Sequence, residues 1–197
     1  STRFSNGQLV SFQSTHFNNG QSVSFQKTRF SNGHSVSFQS AHFSNSQSVN
    51  FQSARFNNGH SVNFEYTHFN NEHPVNFYLA SFENGHSVNF RSISFSKGSS
   101  ANFHATSFHN GSSVSFENAS FETQKGLFFK HIIWAQNGAL NFKNIKFEET
   151  LSIKFDECLF LPKGDIDFKE TSFPEKGSLM FQRCFFSLGE DDKKVDF

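Results

Sequence analysis

The chain has 197 residues, and its 17 Lys and Arg balance 17 Asp and Glu, with ten His besides. Only 35% of it is hydrophobic and 31 residues are Phe, so aromatic rings must supply a core that Leu, Ile and Met usually build. Zero net charge removes the basic footprint of a nucleic-acid binder and weighs against a strongly acidic nucleic-acid mimic, and no apolar run approaches membrane-spanning length.

From Phe4 onward, Phe recurs at alternating intervals of eight and five residues: Phe4, Phe12, Phe17, Phe25, Phe30, Phe38, Phe43, Phe51. Fourteen 13-residue units follow in one register, without insertion or deletion, as far as Phe186. Disordered chains lack periodic aromatics, and loops facing only solvent drift in length. A phase held this strictly means that each unit stacks on a neighbour.

Counted from its first Phe, each unit has four apolar positions: the first Phe, a seventh-position Val, a ninth-position Phe and a twelfth residue that is small or medium-sized, such as Thr15, Ala41, Ile93 or Cys158. The ninth is Phe in every unit from Phe12 to Phe181, and the first is replaced only by Trp134. The seventh runs from Val10, Val23 and Val36 to Leu127, Leu140, Ile153, Ile166 and Leu179. Val-x-Phe and Ala-x-Phe each place two side chains on one face of an extended segment, predicting two short strands per unit. Between Phe12 and Thr15 the inward parity flips, which requires a sharp corner. The longer connection carries Asn6-Gly7, Asn19-Gly20, Asn32-Gly33 and Asn58-Gly59, the pair that best tolerates positive φ.

Val49-Asn50-Phe51-Gln52-Ser53 and Val88-Asn89-Phe90-Arg91-Ser92 resemble the pentapeptide-repeat family, whose unit is a small residue, a polar residue, a central Leu or Phe, and two variable residues. Ala54-Arg55-Phe56 begins another such unit and then adds three residues, so this chain alternates 5+8 where the simple family form is 5+5. The likeness covers residues 1–186. It implies an all-β, right-handed quadrilateral parallel β-helix with four faces per coil.

Two units per coil give 26 residues and about seven coils, a rod roughly 34 Å long at a strand spacing near 4.8 Å. A 13-residue coil would be overfilled by two Phe, a Val and an Ala. An antiparallel meander hinging on Asn-Gly would need a bulge in every strand. Two details favour 26: the thirteenth position alternates His16, Arg29, His42, Arg55, His68, and Cys158 and Cys184 lie one such period apart.

Residues 1–120 are near-perfect repeats without Asp, and 121–186 keep the phase but diverge, with Gly138, Gly164 and Gly177 one place later in the unit. Residues 187–197 break the rhythm and read as a C-terminal cap. Ser1-Thr2-Arg3-Phe4 is already in mid-unit and shows no such cover, leaving a coil able to template association.

A 26-residue coil would align His34, His60 and His86 in one column, a weak metal-site candidate, and His16, His42 and His68 in another. These are corner and surface positions, and solvated side chains are the plainer reading. Cys158 and Cys184 would stand one above the other, as free core thiols or, in an oxidising compartment, a disulfide. Acids and bases recur on surface positions without converging, so no enzyme activity and no cofactor are expected.

The sequence therefore reads as a structural or interaction scaffold that stacks end to end on itself, as dimer or filament, or on another protein, through Phe4, Val10, Phe12 and Phe17. The family resemblance implies an alternative, DNA-mimicking protection of a topoisomerase; ice or carbohydrate binding by flat polar faces is a third. In residues 1–120, six Lys and Arg against four Glu do not make the acidic face that mimicry needs.

Overall fold

The structure is a computed structural model. It describes every residue except 1, 6–8, 19–21, 32–34, 45–47, 58–60, 71–72, 84–86, 97–99, 110–112, 123–126, 136–137, 149–150 and 188–194, and, for side chains, also 128 and 135.

Strands of two to five residues form four parallel sheets, and no helix occurs among the described residues. Each sheet is one face of a β-solenoid. The arginine face begins with Arg3–Ser5 and has eight strands; the Val10 face begins with Val10–Ser11 and also has eight. The histidine face begins with His16–Asn18 and has six, and the Val23 face begins with Val23–Ser24 and has seven.

The register decides the coil length. Phe4 pairs with Phe30, Val10 with Val36, His16 with His42 and Val23 with Val49, each 26 positions on. Neither the 13-residue coil nor the antiparallel meander is compatible with these pairings. At the far end, Val195–Asp196 pairs with Ile166–Asp167 at a separation of 29, and the Phe197 ring stacks on Phe168 at 5.2 Å.

Four aromatic stacks run up the inside. Ninth-position rings make two of them, Phe12-Phe38-Phe64-Phe90-Phe116 and Phe25-Phe51-Phe77-Phe103-Phe129, with centroids 4.7–5.6 Å apart. The two meet edge to face, as in Phe38 against Phe51 at 5.4 Å and 89°. First-position rings make the outer stacks, such as Phe30-Phe56-Phe82-Phe108-Trp134 at 4.6–5.0 Å. Stacked and edge-on pairs both suit the ring quadrupole, each adding about 0.5–1.5 kcal/mol beyond the burial itself.

The sharp corner falls where the parity flip required it. Thr15 N–H donates to the Phe12 carbonyl at 3.2 Å, closing a β-turn whose third residue, Ser14, has φ of 54°. The same corner recurs every 13 residues through Arg183, always at a non-glycine residue with φ of 52–58°. None of these residues is buried. The strain is offset by a bond to the next coil: Ser14 N–H donates to the Gln39 carbonyl at 2.9 Å and Ser40 N–H to the Glu65 carbonyl at 2.8 Å. The Asn6-Gly7, Asn19-Gly20, Asn32-Gly33 and Asn58-Gly59 turns lie outside the described residues.

Asn and Ser at the eighth position have a local task. Asn50 and Asn63 Oδ1 accept the N–H two residues on, from Gln52 and Glu65, both at 2.8 Å, and Ser11 Oγ accepts that of Gln13 at 3.2 Å. In the divergent part, Gly164 and Gly177 answer to a close approach between coils. A Cβ on Gly164 would stand 2.7 Å from the Ala139 amide nitrogen, and one on Gly177 would overlap the Leu151 carbonyl oxygen.

Candidate functional site

Four features stand apart from the regular repeat. They are the first coil, a histidine column, an arginine column and a charge cluster near the C-terminal end.

The first coil holds the four residues expected to self-associate. Phe4 stacks on Phe30 at 5.1 Å, Phe12 on Phe38 at 5.0 Å and Phe17 on Phe43 at 4.6 Å, while Val10 pairs with Val36. Phe12 and Phe17 also touch each other, with centroids 6.5 Å apart. All four are half-buried, whereas their equivalents one coil on are closed: Phe30 is 4% exposed, Val36 6%, Phe38 and Phe43 0%. A second neighbouring coil makes that difference.

On the histidine face the rings of His16 and His42 stack at 4.8 Å and 1°, and His68 follows at 4.8 Å and 31°. His68 Nδ1 lies 2.7 Å from Ser94 Oγ. Burial, then the charge of His42, holds the His68 imidazole below its ordinary pKa of 6.5. Among the described residues no group of three or more His, Cys, Asp and Glu is placed to hold a metal ion. The column His34, His60, His86 lies outside the described residues.

The thirteenth position of the alternate units puts Arg3, Arg29 and Arg55 in one register column of the arginine face, all exposed. With Thr2, Lys27 and Ser53 they line a groove of about 450 Å³. The alternation His16, Arg29, His42, Arg55 was visible in the sequence, and it becomes a surface only once the 26-residue coil separates the two columns.

The charge cluster gave no sequence signal. Asp156, only 5% exposed, accepts from Arg183 Nη2 at 2.8 Å, and Lys154 and Lys130 Nζ stand 3.5 and 3.8 Å from it. Arg183 also reaches Glu157 at 2.9 Å, and Glu157 meets His131 Nδ1 at 2.9 Å. The Arg183 hydrogen bond, ahead of the surrounding cations, holds the Asp156 carboxyl below its ordinary 3.8. On the same stretch, His104 is held below 6.5 by burial, then by His131 and Lys130.

Cys158 and Cys184 are both free thiols. Each donates inward to the ninth-position Phe carbonyl of the coil before, Cys158 to Phe129 at 3.0 Å and Cys184 to Phe155 at 3.3 Å. Burial pushes the Cys158 thiol up to about 12, so it is no nucleophile in the folded chain.

Comparison with protein-family models, with curated proteins and with solved structures finds no match.

Proposed function

We propose that the chain is a non-catalytic scaffold of the pentapeptide-repeat kind, a stiff β-solenoid that associates end to end with copies of itself through the coil carrying Phe4, Val10, Phe12 and Phe17. The single observation behind this reading is the burial step between the first coil and the second. Phe12 and Phe17 are half-buried on one stacking partner each, and Phe38 and Phe43, with partners on both sides, are 0% exposed. Arg3–Ser5 and Val10–Ser11 pair in parallel with Arg29–Ser31 and Ser35–Ser37, and a strand from a second copy laid beside them would extend the same ladders. At the other end of the rod, Phe185, Phe186 and Phe197 are 57%, 39% and 66% exposed, offering rings to a second copy. The basic arginine column lends no support to imitation of DNA.

Light scattering coupled to size exclusion tests the reading. A mass that rises with concentration to a dimer or beyond supports it, and Phe4→Lys should return the chain to a monomer. A monodisperse monomer at high concentration overturns self-association, and an unchanged assembly state in soluble Phe4→Lys overturns the assignment to this coil.

A further inference from the structure

The arginine face carries a ligand site of its own. Arg3, Arg29 and Arg55 project from three consecutive coils, and the inward rings beside them, Phe4, Phe30 and Phe56, stack at 5.1 and 4.8 Å, fixing the pitch. Lys27 stands at the adjoining corner, and the hydroxyl residues Thr2 and Ser53 complete the groove. Several cations further along the chain do have carboxylate partners: Arg91 with Glu117 at 3.8 Å, Lys143 with Glu170 at 3.2 Å, Lys169 with Asp196 at 2.7 Å and Arg183 with Asp156 at 2.8 Å. Among the described residues, no carboxylate comes within 4.0 Å of the charged groups of Arg3, Lys27, Arg29 or Arg55.

The patch has a defined end. Ser81 takes the next place in the column above Arg55, and Glu83 on that coil is occupied by Asn57 Nδ2 at 2.9 Å and by the Ser81 hydroxyl. Like charges stacked at this pitch repel one another, and an anion laid along the column relieves all of them together.

We propose that this groove binds an extended sulfated glycan. Each guanidinium is a planar fork that donates two parallel hydrogen bonds to a sulfate or carboxylate. Three forks at a fixed pitch read an anion repeated along an extended chain over about 10 Å. Thr2 and Ser53 supply hydroxyl partners for sugar hydroxyls. A single-stranded nucleic acid would need aromatic platforms for its bases, and the groove lining contains no aromatic ring. The proposal does not depend on self-association, since the groove opens sideways along three coils rather than at the rod's end.

Titration calorimetry of the full chain with a heparin-derived hexasaccharide at low and moderate salt tests this. Saturable binding that weakens with salt is expected, with affinity reduced at least tenfold in Arg29→Ser and unchanged in Arg91→Ser. Arg29→Ser installs the residue that the same column carries at Ser81 and Ser107, so the fold should persist, which circular dichroism checks. Lys27→Ser, matching Ser53, is the second variant and should weaken binding too. No binding at low salt overturns the site, as does wild-type affinity in both Arg29→Ser and Lys27→Ser. Equal or tighter binding of a single-stranded oligonucleotide overturns the glycan assignment.

Discussion

The Thr67 hydroxyl donates to the carbonyl of Phe38 at 2.8 Å, from 29 positions further along the chain. That carbonyl also takes the Ala41 N–H of its own turn at 2.9 Å. Thr106 with Phe77 at 2.9 Å and Thr171 with Phe142 at 2.6 Å repeat the arrangement, and the two cysteines occupy the same place. The twelfth position thus admits apolar residues that only fill space and short donors that also tie a coil to the turn below.

Thr67→Val isolates that tie. It keeps the shape and removes a donor, while the Phe38 carbonyl retains the Ala41 N–H and is not orphaned. The expected loss is about 1 kcal/mol in chemical denaturation. A loss above about 3 kcal/mol would mean that the hydroxyl does more than bridge coils.

Phe90→Ala should be among the most damaging single changes. Phe90 is fully buried, stacked between Phe64 at 5.2 Å and Phe116 at 4.7 Å, with Phe77 and Phe103 edge-on at 6.0 Å. Emptying that place costs about 3–5 kcal/mol. Because each coil contacts only its neighbours, the denaturation curve should also broaden or divide into two transitions. A single sharp transition shifted by less than about 1 kcal/mol would contradict the packing described.

Ala105→Gly should stabilise the chain. Ala105 sits in a corner at φ of 54°, where a Cβ is strained by about 1–2 kcal/mol. Glycine relieves that strain and gives back part of the gain through a freer unfolded chain. The net expectation is an increase of about 0.5 kcal/mol in unfolding free energy, and a decrease would show that the corner does not need positive φ.

Asp156 makes the fold acid-sensitive. Its folded pKa lies below the ordinary 3.8, so its contribution is present above that value and fades as pH falls through the folded pKa. Asp156→Asn should lower the thermal midpoint at pH 7 and leave it close to wild type near pH 2. Parallel melting curves of the two proteins across that range would contradict the cluster.

His68 acts at milder pH. Its folded pKa lies below 6.5, so its stabilising contribution is complete above 6.5 and is lost as pH falls from there through the folded value. Histidine NMR titration should place His68 below the free imidazole, and His68→Gln should flatten the stability profile in that window. A His68 titrating at or above 6.5 would remove the basis for this expectation.

The coil was legible because Phe marks it. A ring at the ninth position of every unit leaves no freedom of phase, and Cys158 and Cys184 already spelled the 26-residue period. The corners were half legible. The parity flip between Phe12 and Thr15 located them, but Ser14, Lys27, Tyr66 and Glu157 do not announce positive φ as glycine would. The Asp156 cluster was invisible because Lys130 and Arg183 lie 26 and 27 positions away and meet the carboxylate only when the coils stack. Arg3, Arg29 and Arg55 were legible as a periodic position and became a surface only when stacking put them side by side.

At the corners, Ser, Lys, Tyr, Leu, Ala, Asn, His, Glu and Arg all occupy one backbone geometry, and none of them is buried. The rod thus resembles a ruled page, its lines set by the rings within and its lettering left free. Two such margins run the length of the molecule, each offering one replaceable side chain per coil. New surface chemistry can be composed there, at a pitch the core has already fixed, without altering a single ring beneath.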